Sequence, residues 1–158
     1  MAKPTPLKVT ITLSQADAIA DEALRLARQH DLQPLTVVVL DAGGHQIVAK
    51  REDGCGIMRV QVATAKAYGA LGMGISSREL GEHVAGRELF GSSLSVISGG
   101  RFATVPGGVL VRDADGSVIG AVGITGDKSP ADEFAAIGGI RSVGLASDPA
   151  EPASGWTL

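Results

Sequence analysis

The sequence predicts an α+β domain, one antiparallel sheet of about five strands flanked by helices, and three observations lead there. Strand-like runs arrive in pairs joined by Asp/Gly turns, "VLDAGGHQIV" at 39–48 and "LVRDADGSVI" at 110–119, and hairpins of this kind make neighbouring strands antiparallel. Stretches with helical apolar spacing lie before, between and after these pairs. No strand is followed by G-x-G-x-x-G or by a P-loop lysine, so a doubly wound nucleotide fold has no support. The expected order is helix, hairpin, two or three helices, about three strands, helix. A chain of 158 residues suits one domain, read as an N-terminal extension at 1–9, the domain at 10–146 and a C-terminal tail at 147–158.

The elements follow in order. Thr12 and Gln15 stand in capping-box spacing, and Ala16, Ile19, Ala20, Ala23, Leu24 and Ala27 form one stripe, which predicts an amphipathic helix. After Pro34, "LTVVVLDAGGHQIVAK" reads as a hairpin turning at Asp41 to Gly44. Ile57 to Gly74 reads as a helix whose Ala63, Ala65, Ala67, Gly69, Ala70, Gly72 and Gly74 spread over several faces. One such face suffices for the sheet, so the others predict close approach by a second helix, from another subunit. Ser76 and Glu79 make a second capping box, predicting a helix over Arg78 to Phe90, and "GSSLSVISGG" at 91–100 fits neither class clearly. "RFATVPGGVLVRDADGSVIGAVGI" resumes the strand pattern. Ser129 then reads as an N-cap with Pro130 at the first position of a helix reaching Leu145, and "ASDPAEPASGWTL" has the composition of a surface extension.

Composition removes several classes of function. Fourteen Lys plus Arg against seventeen Asp plus Glu leave 14 − 17 = −3, and only Tyr68, Phe90, Phe102, Phe134 and Trp156 are aromatic, so neither a phosphate backbone nor stacked bases find a partner. No nucleic acid is expected. The single Cys55 excludes an internal disulfide and fits a reducing compartment. "MAKPTPLKVT" lacks the apolar run of a signal peptide, and nowhere do about 18 apolar residues follow one another. A soluble, cytoplasmic protein without a membrane partner is the expectation.

Few residues offer chemistry. Arg59 and Lys66 are the only charges between Ile57 and Gly74, and seven residues on a helix place them on one stripe about 10 Å apart. Such a pair could clamp carboxylates, the propionates of a haem or a small organic acid, or simply mark a wet face. His45 opens a strand directly after the first turn, as a metal ligand, a general base or a surface residue. In "AVGITGDKSPADE" a strand runs into a helix start, where free N–H groups and the helix dipole favour an anion. Asp127, Asp132 and Glu133 bring three carboxylates to that junction, so it reads either as self-capped or as a ligand corner built from Thr125, Gly126 and Asp127. Glu133 is the candidate base for an isomerisation or hydration next to a carboxylate, with Arg59 or Lys66 holding the substrate. No H-E-x-x-H, C-x-x-C or G-x-S-x-G pattern occurs.

The longer strings carry a resemblance. "LTVVVLDAGGHQIVAKRED", "KAYGALGMGISSREL" and "VPGGVLVRDADGSVIGAVGITGDKSPADE" together resemble the GlcG/HbpS family of haem-binding proteins, which is itself similar to the C-terminal domain of PduO-type cobalamin adenosyltransferases. The resemblance runs from about Thr10 to Leu145. It implies haem binding, with haem degradation, redox sensing or an accessory role beside organic-acid catabolism, and homo-oligomers in which dimers build to octamers. Carried over residue by residue, it points to the turn through Gly43, Gly44 and His45, to Lys66, and to the loop Gly123 to Asp127, with haem as cofactor and His45 as its axial ligand. The rival functions are an enzyme for a small organic acid and a non-catalytic partner of catabolic enzymes.

Overall fold

The computed structural model describes residues 2–158. Helix α1 (Leu13–Gln29) leads into the hairpin β1 (Thr36–Asp41) and β2 (Gln46–Arg51). Three helices follow, α2 (Arg59–Met73), α3 (Ser77–Val84) and α4 (Glu88–Ile97), and then β3 (Gly108–Arg112), β4 (Val118–Thr125), α5 (Ser129–Ser142) and a short β5 (Ala146–Asp148). The sheet order is β2-β1-β4-β3-β5 with every pair antiparallel. This is the expected α+β architecture, and the fifth strand comes after the last helix.

Alternation along the strands sorts the side chains into two layers. Val37, Val39, Val109, Val111, Val122 and Ile124 meet α1 and α5, whereas Val38, Leu40, Leu110 and Ala121 meet α2. The layer under α2 is thin because both sides are small. A Cβ on Gly123 would stand 1.9 Å from the Ala63 carbonyl oxygen, and one on Gly108 would stand 2.3 Å from that of Lys66. The helix backbone therefore rests almost directly on the sheet.

This contact accounts for most of the small residues of α2. Ala63, Ala67 and Ala70 are fully buried against the sheet, and Gly69 lies beside Leu80 and Phe102. The chain's own sheet and α3 fill those faces, whereas Gly72 and Gly74 are exposed with nothing within 4 Å of an added Cβ. Two boundaries also move. The helix expected over Arg78 to Phe90 is two, broken at Ala85 to Arg87, and the ambiguous stretch at 91–100 continues the second of them to Ile97. The residue preceding α5 is Lys128, whose side chain makes no cap bond; instead Asp132 reaches back to accept the Asp127 N–H at 3.1 Å.

The tail is no loose extension. Ala146–Asp148 pairs with β3, Arg141 holds the Ala150 carbonyl and the Glu151 carboxylate, and Trp156 lies against Phe134 at 4.9 Å between ring centroids.

Candidate functional site

The two ends of α2 lie over opposite ends of the sheet and present different chemistry. At its N-terminal end, Arg59 Nη1 donates to Thr125 Oγ1 at 2.9 Å. Two turns further along the same stripe, Lys66 is 1% exposed, because α2 rests on the glycine-thinned sheet and its side chain runs inward. Its ammonium donates to the Ile124 carbonyl at 2.8 Å and to Asp132 Oδ2 at 2.9 Å. Burial pushes Asp132 up to about 6, opposed by the Lys66 charge, and the same burial lowers Lys66. Asp127 faces the other way. Its carboxylate accepts the N–H of Gln33 and of Lys128, both at 2.6 Å, and these bonds hold it below the usual carboxylate range.

Glu133, one position along α5, is fully buried and turned elsewhere. Oε2 accepts the Ala153 N–H at 2.9 Å, and Oε1 lies 3.4 Å from Arg78 Nε without a hydrogen bond. Burial raises its pKa, and Arg78 opposes the shift.

The C-terminal end of α2 faces the first hairpin turn. Asp41 Oδ1 accepts the N–H groups of Gly43 and His45 at 2.9 Å each and lies 3.3 Å from His45 Nδ1. The imidazole is 82% exposed, so its other nitrogen, Nε2, points away from the carboxylate and is free to bind. Gly44, at φ 80°, packs under the Tyr68 ring, where a Cβ would stand 2.9 Å from the ring carbon Cε2. The Arg101 guanidinium covers that ring 3.7 Å from its centroid. Next to it, a cavity of about 190 Å³ opens between α2 and α4, with Met73, Leu94, Ile97 and Phe102 in its walls.

The model of the family described as haem degrading protein HbpS-like matches residues 11–141. The chain belongs to that family. Among solved structures, it is similar to PduOC in a heme complex, at 26% identity and TM-score 0.78, covering 89% of this chain and 99% of the other. It is also similar to protein ORFY of Klebsiella pneumoniae, at 24% identity and TM-score 0.75, covering 89% and 95%. A double mutant of Streptomyces reticuli HbpS follows at 23% identity and TM-score 0.72, covering 90% and 98%. The last two likenesses speak for the fold. No curated protein matches the chain.

The residues singled out in the sequence fall into three places. Arg59, Lys66, Thr125, Gly126 and Asp127 gather where β4 ends and α2 begins, with Lys66 and Asp127 occupied by internal partners. Gly43, Gly44 and His45 sit at the far end of β1, because Thr36 pairs with Thr125 and Asp41 with Gly120. The five steps between them span about 17 Å. Glu133 belongs to neither end: Oε2 accepts from the tail, and Oε1 lies 3.4 Å from Arg78 Nε. Sequence reasoning missed Arg101, Tyr68 and the partnership of Lys66 with Asp132. Tyr68 stands two residues after Lys66, on a helix face that looks undistinguished until the Gly43-Gly44 turn packs on it. The other two connections span 33 and 66 residues and leave no local signal.

Proposed function

We propose that this protein binds haem at the C-terminal end of α2, within a cytoplasmic homo-oligomer, with His45 Nε2 as axial ligand. Membership of the HbpS-like family across residues 11–141 carries the reading. The similarity to PduOC, whose structure is a heme complex, supports it.

The residues at this end fit the group in kind. An imidazole oriented by a carboxylate is the usual arrangement of a metal-binding histidine. Arg101, which has no carboxylate partner among the described residues, suits a propionate, and Tyr68, Leu94, Ile97 and Phe102 offer apolar surface. Arg101 thereby takes the role that the sequence suggested for Arg59 and Lys66. The cavity of about 190 Å³ falls short of the roughly 300–1,000 Å³ of small-molecule sites. Leu89, Val96 and Ile97 on α4 are almost bare, so a second copy laid on α4 would complete the slot. A bound haem supplies redox-active iron; the chain supplies the ligand, the propionate contact and the exclusion of water.

Titration with hemin tests the reading. A saturable, shifted Soret band is expected in the wild type, with binding at least ten-fold weaker in His45→Ala. A flat wild-type titration overturns haem binding, and an unchanged spectrum in His45→Ala overturns the axial assignment. Loss of the Soret band under ascorbate and dioxygen would read haem degradation.

A further inference from the structure

We infer that Asp41 and Gly43 are positioning residues for His45: together they hold its ring as the Nδ1–H tautomer, so that Nε2 keeps its lone pair and becomes a stronger donor to iron. The use of this donor rests on the haem reading, whereas its geometry belongs to the turn alone.

The chain carries two hairpin turns of one design, and only the first holds a histidine. In "DAGGH" at 41–45, Asp41 Oδ1 accepts the N–H groups of residues 43 and 45; in "DADGS" at 113–117, Asp113 Oδ1 accepts those of residues 115 and 117 at 3.0 and 2.9 Å. The N–H of Gly44 reaches the Asp41 carbonyl at 3.0 Å, and that of Gly116 reaches the Asp113 carbonyl at 3.0 Å. Gly44 and Gly116 both stand at φ 80°, where glycine is favoured. The backbone is therefore the same in both turns. What differs is the pair of side chains at the third and fifth positions, Gly43 with His45 against Asp115 with Ser117.

Gly43 is not demanded by backbone conformation, since its φ is not positive and an aspartate fills the equivalent place in the second turn. The imidazole is what excludes a side chain there. A Cβ on Gly43 would stand 2.8 Å from His45 Nδ1, 2.9 Å from Cε1 and 3.2 Å from Asp41 Oδ1. The ring thus lies over the space a side chain would take, with Nδ1 3.3 Å from the aspartate. A carboxylate only accepts hydrogen bonds, so this contact favours the proton on Nδ1 and leaves the lone pair on Nε2. The turn is also held from outside, because the Ala42 N–H donates to Thr10 Oγ1 at 3.1 Å. A carboxylate on the far nitrogen raises the donor strength of a ligating imidazole, and a stronger axial donor favours ferric over ferrous haem.

Nitrogen-15 NMR of the histidine rings in the ligand-free protein reads the tautomer, at about pH 8 where an ordinary imidazole is neutral. The chain has three histidines, and His45→Ala identifies the signal. His45 should carry its proton on Nδ1, and Asp41→Asn and Gly43→Ala should each move it toward Nε2. Asparagine keeps an acceptor for the two turn N–H groups, and in Gly43→Ala the exposed ring gives way instead of the backbone, so both variants should keep the wild-type circular dichroism. Each should bind hemin about 10-fold to 100-fold more weakly, and the bound haem should be reduced at a more positive potential. Asp113→Asn, the same change in the other hairpin, should alter neither the tautomer nor the affinity. A wild-type His45 protonated on Nε2, or a tautomer unmoved in both variants, overturns the inference. So does unchanged hemin affinity and potential in both, or an Asp113→Asn effect equal to that of Asp41→Asn. A flat hemin titration of the wild type strikes the haem reading alone, and the tautomer still decides this one.

Discussion

Removing the buried pair Lys66–Asp132 one charge at a time, and then both together, is the sharpest test of how α2 is fixed to the sheet. At 2.9 Å their attraction is about 6 kcal/mol for an effective dielectric of about 20, before the cost of taking both charges out of water is subtracted. The two side chains are 2% and 1% exposed, so that cost is close to complete. Lys66→Met leaves a carboxylate without its cation, and Asp132→Asn leaves an ammonium without its anion while keeping an acceptor for the Asp127 N–H. Each should cost about 3–5 kcal/mol. The double variant should lose far less than the sum, about 2 kcal/mol or under, since neither stranded charge remains.

Urea unfolding at several pH values reads both parts. Asp132 already titrates at about 6, above its ordinary 3.8, because it is buried. A raised carboxyl pKa means that the folded state keeps a proton which the unfolded chain gives up, so its cost grows as pH rises through that window. Without Lys66 the rise is larger, and Lys66→Met should be more stable at about pH 5 than at about pH 7.5. Asp132→Asn should show the opposite slope. Its lone Lys66 is lowered by burial, so stability is lost as pH falls below the ordinary lysine value and returns on the alkaline side. Additive single losses, or single variants within about 0.5 kcal/mol of wild type, would refute the description of this pair as a coupled buried contact.

Three further outcomes are expected. Gly123→Ala should lower stability by about 3 kcal/mol or abolish folding in urea denaturation, because its Cβ would collide with the Ala63 carbonyl at 1.9 Å; Ala67→Leu, on the sheet-facing side of α2, should cost about 1–3 kcal/mol. The single Trp156 reports on the tail: Glu133→Gln should red-shift its fluorescence and lower the melting temperature, and removal of residues 149–158, which takes Trp156 with it, should lower the melting temperature as Phe134 and His30 lose their cover. Leu89→Glu with Val96→Glu should reduce the mass measured by light scattering and leave far-ultraviolet circular dichroism unchanged, since both side chains are more than four-fifths exposed. A wild-type monomer at micromolar concentration would defeat the oligomer proposal.

What was legible in the sequence was what neighbouring residues decide among themselves. The capping boxes of Thr12 with Gln15 and Ser76 with Glu79 form as spaced, because a cap is a contact over three residues. The two Asp/Gly turns formed hairpins for the same reason, the aspartate accepting N–H groups two and four residues on. Helix α4 was illegible because it buries no residue, and a helix without a covered face has no one-sided apolar pattern to read. The three-residue β5 was hidden in a stretch of Ala, Ser and Pro, and β3 alone gives it a partner.

The candidate sites divide along the same line. The sequence by itself determined the α+β class, the hairpins, the family resemblance, and the residue types from which an anion or haem site could be drawn. Tertiary structure decided which of those residues are free. Glycine-thin packing turns Lys66 inward to Asp132 and encloses Glu133 with Arg78 and the tail. Sheet register sets Thr125 within reach of Arg59 and sends His45 to the other end. The physical reason is range: a cap or a turn is settled within a few residues, whereas the burial of a charge depends on contacts made tens of residues away, which exist only once the chain has folded.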